Sequence, residues 1–350
     1  MVKMKNQTSV LIVGAGAVGL VTGYHLSLGG AAVTFFVRPQ RRESVLPPQN
    51  LYCYDDGQIK TYADYQVITN TDEVAVCAFD YVILTLDGAA CRNADGVKLL
   101  RALGDSIRST AAVVIFCGVG IGLREHLLTT LGLADDRLLE GTLGNISHQV
   151  SANLPSHPPT DPALISQATM AYRHFSGTTG FSLVSSQKAA AQKFAALYDR
   201  CRVSRCALVN ATFYRYYTNV FYCFTFTWDM AGWKDVANFA AQPELVSLCV
   251  AAMKDIASLS RFGWIGRLVR LVLSKNLFMK AIRKAEQDFL PLDLAAFNRF
   301  HHGDKVLAQD IQLMNNCLNE GRAEGKAMAA LDELLQKFEA HRAQLKGSNL

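Results

Sequence analysis

No two of the nine cysteines, at 53, 77, 91, 117, 201, 206, 223, 249 and 317, stand in a C-x-x-C spacing, and their number is odd. A disulfide framework is therefore not expected, nor a metal site; the thiols read as reduced core residues. Charge of one sign is equally scarce. Lys plus Arg is 35 against 30 for Asp plus Glu, a net +5. That excess is too mild for a nucleic-acid binder, but it leaves anionic small molecules as natural partners. No run of about 18 uncharged apolar residues occurs, so no membrane-spanning helix is expected. The first seven residues, Met1 to Gln7, lead straight into an apolar strand. A secretory leader would need a longer apolar run and a small-residue cleavage site, so the expected location is cytoplasmic. Internal repeats are also lacking. What is present is a 350-residue chain, half hydrophobic and 19% charged. That is enough for about two domains with their own cores.

The first third alternates strands and helices. Ser9 to Val13 is a short apolar run that suits a buried parallel strand, and Ala17, Val21, Tyr24 and Leu28 then recur at helical spacing. Ala32 to Val37, Tyr81 to Leu86 and Ala111 to Phe116 read as further strands. Leu51 to Tyr54 and Gln58 to Tyr62 flank Asp55-Asp56-Gly57 as a hairpin. The alternation predicts an α/β, doubly wound parallel sheet of the Rossmann type. Four prolines between Ala152 and Thr169 mark an irregular loop. Met170 to Val184 reads as edge strands, and Gln187 to Arg200 as an alanine-rich helix. After about Ala207 the pattern is almost wholly helical. Pro243 suits a helix start and Gly263 a helix stop. Leu307, Ile311, Met314 and Leu318 form one apolar stripe; Leu331, Leu335 and Phe338 form another. The expected division is residues 1–206, a nucleotide-binding domain, and 207–345, an all-helical C-terminal domain.

The strand Val10 to Val13 runs into Gly14-Ala15-Gly16-Ala17-Val18-Gly19, a G-x-G-x-x-G turn with a strand before it and a helix after it. Gly14 permits the tight turn, Gly16 a close pyrophosphate and Gly19 close helix–sheet contact, while the helix N-terminus faces the phosphates. The second strand ends Val37-Arg38-Pro39-Gln40-Arg41-Arg42. An acidic residue there would hold a ribose 2′-hydroxyl; Arg38, with Arg41 close behind, suits a 2′-phosphate instead. The cofactor expected is NADP(H). A solvated basic turn is the alternative.

These features resemble the ketopantoate reductases (2-dehydropantoate 2-reductases). The Gly14–Gly19 turn, the Val37-Arg38 strand end, the Leu51–Tyr62 hairpin, Val82-Ile83-Leu84-Thr85-Leu86 and Gly118-Val119-Gly120 carry the resemblance, with a helical domain following in the expected order. It implies a Rossmann domain binding NADPH, with Cys117 and Gly118 also beside the cofactor. A helical domain would close over it, leaving a cleft for a small 2-keto acid, and pantothenate biosynthesis would be the setting. A homodimer is compatible with the resemblance. The family's active-site pattern is altered here. Its lysine after the fourth strand falls at Asp87, and the asparagine of its Asn-Gly-x-Gly turn at Cys117. Its catalytic lysine falls at Arg215, four residues before Asn219, and its late glutamate at Asp310. Catalysis would rest on Arg215, Asn219 and Asp310. Arginine is a poor acid. Arg215 would stabilise an oxyanion, clamp a carboxylate or form a structural ion pair. The proton would come from water, Asp310, His301 or His302. Cys117 reads equally as a small core residue, and Asp87 as a helix cap. Altered catalytic positions leave a rival: an NADP(H)-binding sensor or interaction protein that no longer performs the reaction.

Two further clusters stand out. Nine aromatics crowd Phe213 to Trp228. Most read as core, while Tyr214, Tyr216 and Tyr217 remain candidate proton donors toward an apolar substrate. Arg261 to Lys284 holds seven basic residues and no acid. Its helical wheel favours two short helices with a break, a helical-domain insertion with solvated charges rather than a membrane-binding face.

Overall fold

A computed structural model gives the fold over residues 7–174, 179–185 and 188–348. Residues 1–6, read above for a leader, 175–178, within the expected strand pair, and Gln187, at the expected helix start, lie outside the described residues. The chain forms two compact units. One comprises residues to Gly118, Gly122–Asn153 and Pro158–Asn210; the other Val119–Ile121, Leu154–His157 and the chain from Ala211 onward.

The first unit begins β1 (Ser9–Val13), α1 (Ala17–Leu28), β2 (Ala32–Phe36), β3 (Gln49–Cys53), β4 (Gln58–Tyr62), β5 (Gln66–Ile68), α2 (Thr71–Val76) and β6 (Tyr81–Leu84). It continues α3 (Gly88–Arg92), α4 (Ala94–Ile107), β7 (Val113–Phe116), α5 (Leu123–Leu131), β8 (Leu138–Leu143), β9 (Asn145–Gln149), α6 (Pro162–Ile165), β10 (Met170–His174), β11 (Thr179–Val184), α7 (Lys188–Asp199) and β12 (Arg205–Val209). The main sheet runs β12-β11-β8-β7-β6-β1-β2-β5. Its six strands from β5 to β8 are parallel and follow the doubly wound order, reversing direction of growth between β1 and β6. Strand alternation sends Val10 and Ile12 to one face with Leu20, Val21 and Phe194, and Leu11 and Val13 to the other with Leu100, Leu103 and Leu127. Both faces are thus buried, which is why β1 reads as a continuous apolar run.

The expected hairpin forms as β3 and β4, part of a second sheet ordered β4-β3-β10-β9. Met170 to Val184 does not form edge strands. β10 lies between β3 and β9, and β11 between β8 and β12. The residue pattern indicates strands, but which neighbours they meet is set by partners far away in sequence.

Polar residues from four elements and two connecting loops meet in the first unit. His25 of α1 shares a 2.9 Å hydrogen bond between its Nδ1 and the Tyr198 hydroxyl of α7. Asn145 Nδ2 and Ser204 Oγ donate to the same hydroxyl at 3.3 and 3.0 Å. His174 lies 3.5 Å from the other His25 nitrogen and pairs with Asp55 at 3.1 Å. Burial, reinforced by His174, pushes His25 down to about 3.

The helical unit contains α8 (Ala211–Met230), α9 (Val236–Ala240), α10 (Pro243–Ala257), α11 (Gly263–Val272), α12 (Lys275–Phe289), α13 (Leu294–Asn298), α14 (Leu307–Ala323) and α15 (Ala329–Ser348). Its core is built largely on α8. Phe226 stacks on Phe338 of α15 at 4.0 Å, and Phe224 stacks on Trp228 at 4.6 Å. The aromatic cluster is therefore mostly core, although Phe213 and Tyr217 are exposed. Pro243 does open α10. Gly263 closes the 3-10 turn Ser260–Phe262 and also opens α11, at a positive φ of 50° that suits glycine. On α14 the buried stripe is displaced from the expected one: Asp310, Leu313, Met314, Cys317 and Leu318 are buried, whereas Leu307 and Ile311 are only partly so. A polar group, Asp310, shares the inward face, which hydrophobicity alone could not reveal.

His25 yields a pH prediction. Its unfolded value near 6.5 lies above its folded value, so the unfolded chain gains a proton first as pH falls. Its stabilising contribution is full above pH 6.5 and is lost toward pH 3, by about 1.4 kcal/mol per pH unit. Urea unfolding between pH 7 and 4.5 should show His25→Gln with a slope shallower by about one proton than the parent; equal slopes would contradict a neutral buried His25.

Candidate functional site

The glycine turn lies where the doubly wound sheet reverses, at the C-terminal ends of β1 and β6. Crevices at such ends receive ligands in open α/β sheets. Gly14 has a φ of 110°, a conformation L side chains rarely adopt, and its N–H donates to Phe36 O at 3.0 Å. A Cβ on Gly19 would lie 2.2 Å from Gly14 O, so α1 can start this close to the turn only because Gly19 is glycine. At Gly16 a Cβ would meet nothing within 4 Å. This glycine leaves free space where a phosphate can approach the backbone, and it answers no packing demand of the protein. No side chain caps α1, and its first turn carries no acid. The amides of that turn are set to meet an anion.

Thr85, immediately after β6, completes the turn. Its hydroxyl donates to Val13 O at 2.8 Å and reaches Gly14 O at 3.4 Å. The sequence reading named Thr85 only within the Val82–Leu86 run and gave it no role. Threonine at the end of an apolar strand is unremarkable until the register pairs Val13 with Leu84. Asp87, expected as a cap, does cap α3: its Oδ1 accepts from Ala90 N at 2.7 Å.

Arg38 directly follows β2 and Val37, and is exposed. Among the described residues it makes no ion pair, whereas Arg42 is paired with Glu43 at 3.1 Å. Arg41 is exposed on the 3-10 turn Pro39–Arg41. Cys117 follows β7, packs against the core beneath the sheet, and burial pushes its thiol up. Gly118 is confined by Leu123, Leu86 O and Gly88 N at 3.1 to 3.4 Å from a hypothetical Cβ. Ala15, Ala17 and Val18 complete the turn, with Ala15 and Ala17 buried. The turn, the uncapped amides and the exposed guanidinium fit a dinucleotide carrying a 2′-phosphate.

The catalytic candidates all lie in the helical unit. Arg215 and Asn219 are one turn apart on α8, and Asn219 Nδ2 donates to Arg215 O at 2.6 Å. Asn219 is buried, and its Oδ1 accepts a contact from Cys317 of α14 at 3.5 Å. Both polar ends of its amide are therefore engaged within the unit. Asp310 is fully buried on α14. Its Oδ2 is hydrogen-bonded to His302 Nδ1 at 2.8 Å. The π-helical segment Arg299–Lys305 carries His302, and such wide turns often mark functional sites. Burial pushes His302 down to about 4, so its imidazole is neutral near pH 7. Tyr222 lies close by, its ring 5.7 Å from that of His302. Asn219 is thus bonded to Arg215 on α8, and His302, one of the candidate proton sources, to Asp310. Tyr214 and Tyr216 are core residues, and Tyr216 packs edge-on against Phe262.

The sheet order and the helical unit decide the comparison. The fold is that of the ketopantoate reductases. Residues 10–151 match the family model of ketopantoate reductase PanE/ApbA. Similar solved structures include the 2-dehydropantoate 2-reductase from Methylococcus capsulatus, 16% identical with a TM-score of 0.66, covering 96% of this chain and 97% of that one. The PanE/ApbA family ketopantoate reductase from Ralstonia eutropha JMP134 is 14% identical with a TM-score of 0.67, over 97% of this chain and 100% of that one. D-mandelate dehydrogenase, solved with NADH and anilino(oxo)acetate, is 15% identical with a TM-score of 0.62, over 97% and 99%. At such identities the likeness establishes the fold. No curated relative matches the chain.

Two glycine variants separate binding from folding. Gly16→Val should unfold at nearly the parent temperature but bind NADPH at least ~10-fold more weakly, because the new side chain fills the phosphate's space. Gly19→Val should instead lose about 2 kcal/mol or more of stability, since backbone must move. Cofactor titration beside thermal unfolding checks both; unchanged NADPH affinity in Gly16→Val would remove the turn from the binding site.

Proposed function

We propose that this chain is an NADP(H)-dependent reductase acting on the keto group of a small 2-keto acid, ketopantoate being the first to try. The observation that carries the reading is the glycine turn at the sheet's reversal point, with open space over Gly16 and an exposed Arg38 at the end of β2. Gly14 to Gly19 and the first turn of α1 would hold the pyrophosphate, and Arg38, helped by Arg41, the 2′-phosphate. When bound, the nicotinamide supplies the hydride. The chain's own residues must then handle the charge and the proton.

Reducing a ketone leaves an alkoxide that needs one proton. Asp310 and His302 supply it as a relay. With its proton on Nε2, His302 accepts at Nδ1 from the Asp310 carboxyl. As the Nε2 proton leaves for the alkoxide, the Asp310 proton moves to Nδ1, so one carboxyl O–H is consumed and one alcohol O–H is formed. Arg215 stabilises the developing oxyanion or holds the substrate carboxylate through its guanidinium fork. Asn219, bonded to the Arg215 carbonyl, fixes that turn of α8.

A second reading has its own support. The amide of Asn219 is satisfied on both sides inside the unit, which suits a structural role and a cofactor-binding protein without turnover. Following NADPH oxidation with a panel of 2-keto acids, alongside NADPH titration, separates the two. Turnover supports the reductase, and tight binding without turnover supports the second reading.

NADPH should bind more tightly than NADH. Arg38→Ala should remove about 1.5–3 kcal/mol of that preference; equal affinities in the parent would sink the assignment of the 2′-phosphate to Arg38. Asp310→Asn keeps the shape but cannot release a proton. Its kcat should fall ~10²- to 10⁴-fold with NADPH affinity intact. Arg215→Ala should lower kcat/KM by about two to three orders of magnitude. Full turnover in either variant would place the chemistry elsewhere.

A further inference from the structure

Helix α11 presents its apolar face outward. Trp264, Leu268, Leu271 and Val272 fall at i, i+4, i+7 and i+8, one stripe of a helix. In a helix packed on its own protein this stripe would be buried. Here these side chains are 66, 49, 83 and 54% exposed. The helix rests on its opposite side, at Gly266, where a Cβ would come within 2.1 Å of Ala257 O. Gly266 is its only buried residue. Beyond the break at Leu273-Ser274, Leu277 of α12 is 49% exposed as well. Residues 261–284 themselves carry seven basic side chains and no acid. Arg267, Arg270, Lys275, Lys280 and Arg283 are exposed and make no ion pair with a described residue; of the other two basic residues, Arg261 is paired with Glu320 and Lys284 with Asp288. Lys275 and Arg283 also line a cleft of about 360 Å³ with the apolar Pro243, Val246 and Met279.

We propose that α11 and the start of α12 form a peripheral docking surface for an anionic phospholipid bilayer. The wheel reading above expected a solvated insertion; it located the two helices and the break, but not which side of α11 the protein would cover. An exposed tryptophan and three aliphatics flanked by unpaired cations are what an interfacial helix requires. The apolar stripe enters the acyl boundary while the cations meet lipid phosphates, and the cleft with Lys275 and Arg283 suits one head group. Insertion is shallow, since no described helix is long and apolar enough to cross a membrane. A second copy of the chain fits less well. A two-fold contact over this face would bring Arg267 and Arg270 near their own counterparts, with no acid from 261 to 284 to offset them.

The test is sedimentation of the full chain with vesicles of phosphatidylcholine alone and of equal parts phosphatidylcholine and phosphatidylglycerol. The protein should pellet with the anionic vesicles at low salt, stay in the supernatant with neutral ones, and release as salt screens the attraction. Trp264 emission should shift to the blue on binding. Trp264→Gln with Leu271→Gln should reduce partitioning at least ~10-fold. Arg267→Glu with Arg270→Glu should reduce it about 25-fold or more, at roughly fivefold for each basic residue near the surface. All four positions are exposed, so thermal unfolding should not change. A parent protein that remains in the supernatant at low salt overturns the proposal, as does partitioning of both double variants equal to the parent's. So does a dimer, seen by light scattering, that the Trp264→Gln, Leu271→Gln variant loses while vesicles bind neither protein.

Discussion

The first unit depends on a contact made possible by a missing atom. Because Gly19 has no Cβ, α1 begins directly against the carbonyl of Gly14, where any other side chain would be 2.2 Å from that oxygen. That approach sets where the helix starts. Its uncapped amides then lie above Gly16, and two turns later His25 reaches Tyr198 and Asn145. One close contact therefore places both the anion-binding end of α1 and the buried polar group at its far end. Thr85 holds the other side of the turn through the carbonyls of Val13 and Gly14. The cradle is fixed from two strands, as pre-organised binding demands.

Burial keeps a histidine neutral in each unit, His25 in the first and His302 in the second, but the partners differ. In the first, it keeps His25 neutral beside the Tyr198 hydroxyl and the Asn145 amide, while the neighbouring His174 pairs with Asp55. In the helical unit, an aromatic core surrounds an ionisable pair. Asp310 is fully buried, and a lone carboxylate there would be strongly disfavoured. The hydrogen bond from its Oδ2 to His302 answers part of that demand and couples two groups that can exchange a proton. Helix α8 thus carries both kinds of residue: Phe226 and Trp228 in the core, and Tyr222 beside His302.

Much was legible along the chain because it rests on local rules. Short continuous apolar runs located β1, β2, β6 and β7. Spacing of glycines located the turn, an oxygen-bearing side chain at Asp87 gave the cap of α3, and a wheel that loses its polar face predicted the break before α12. Where local rules are silent the reading failed or stopped. Met170 to Val184 gave strands but not their neighbours, and Leu307 to Leu318 gave a helix but not its buried face. The role of Thr85 and the pairing of His302 with Asp310 were not legible, because each gains its meaning from a residue on another element.

What the sequence by itself determined is the turn from Gly14 to Gly19, the cation after β2, the change to helix after the last strand, and the two short basic helices. These follow from backbone conformations, periodicities and charges that belong to neighbouring residues. The tertiary structure alone decided that Gly16 faces open space while Gly19 is jammed against backbone, that Asp310 points inward to His302, and that α11 turns its apolar stripe outward. Periodicity shows that a helix has two faces. Which face is covered depends on steric fit against another helix, here Gly266 of α11 against Ala257 of α10, and apolar periodicity does not encode that fit.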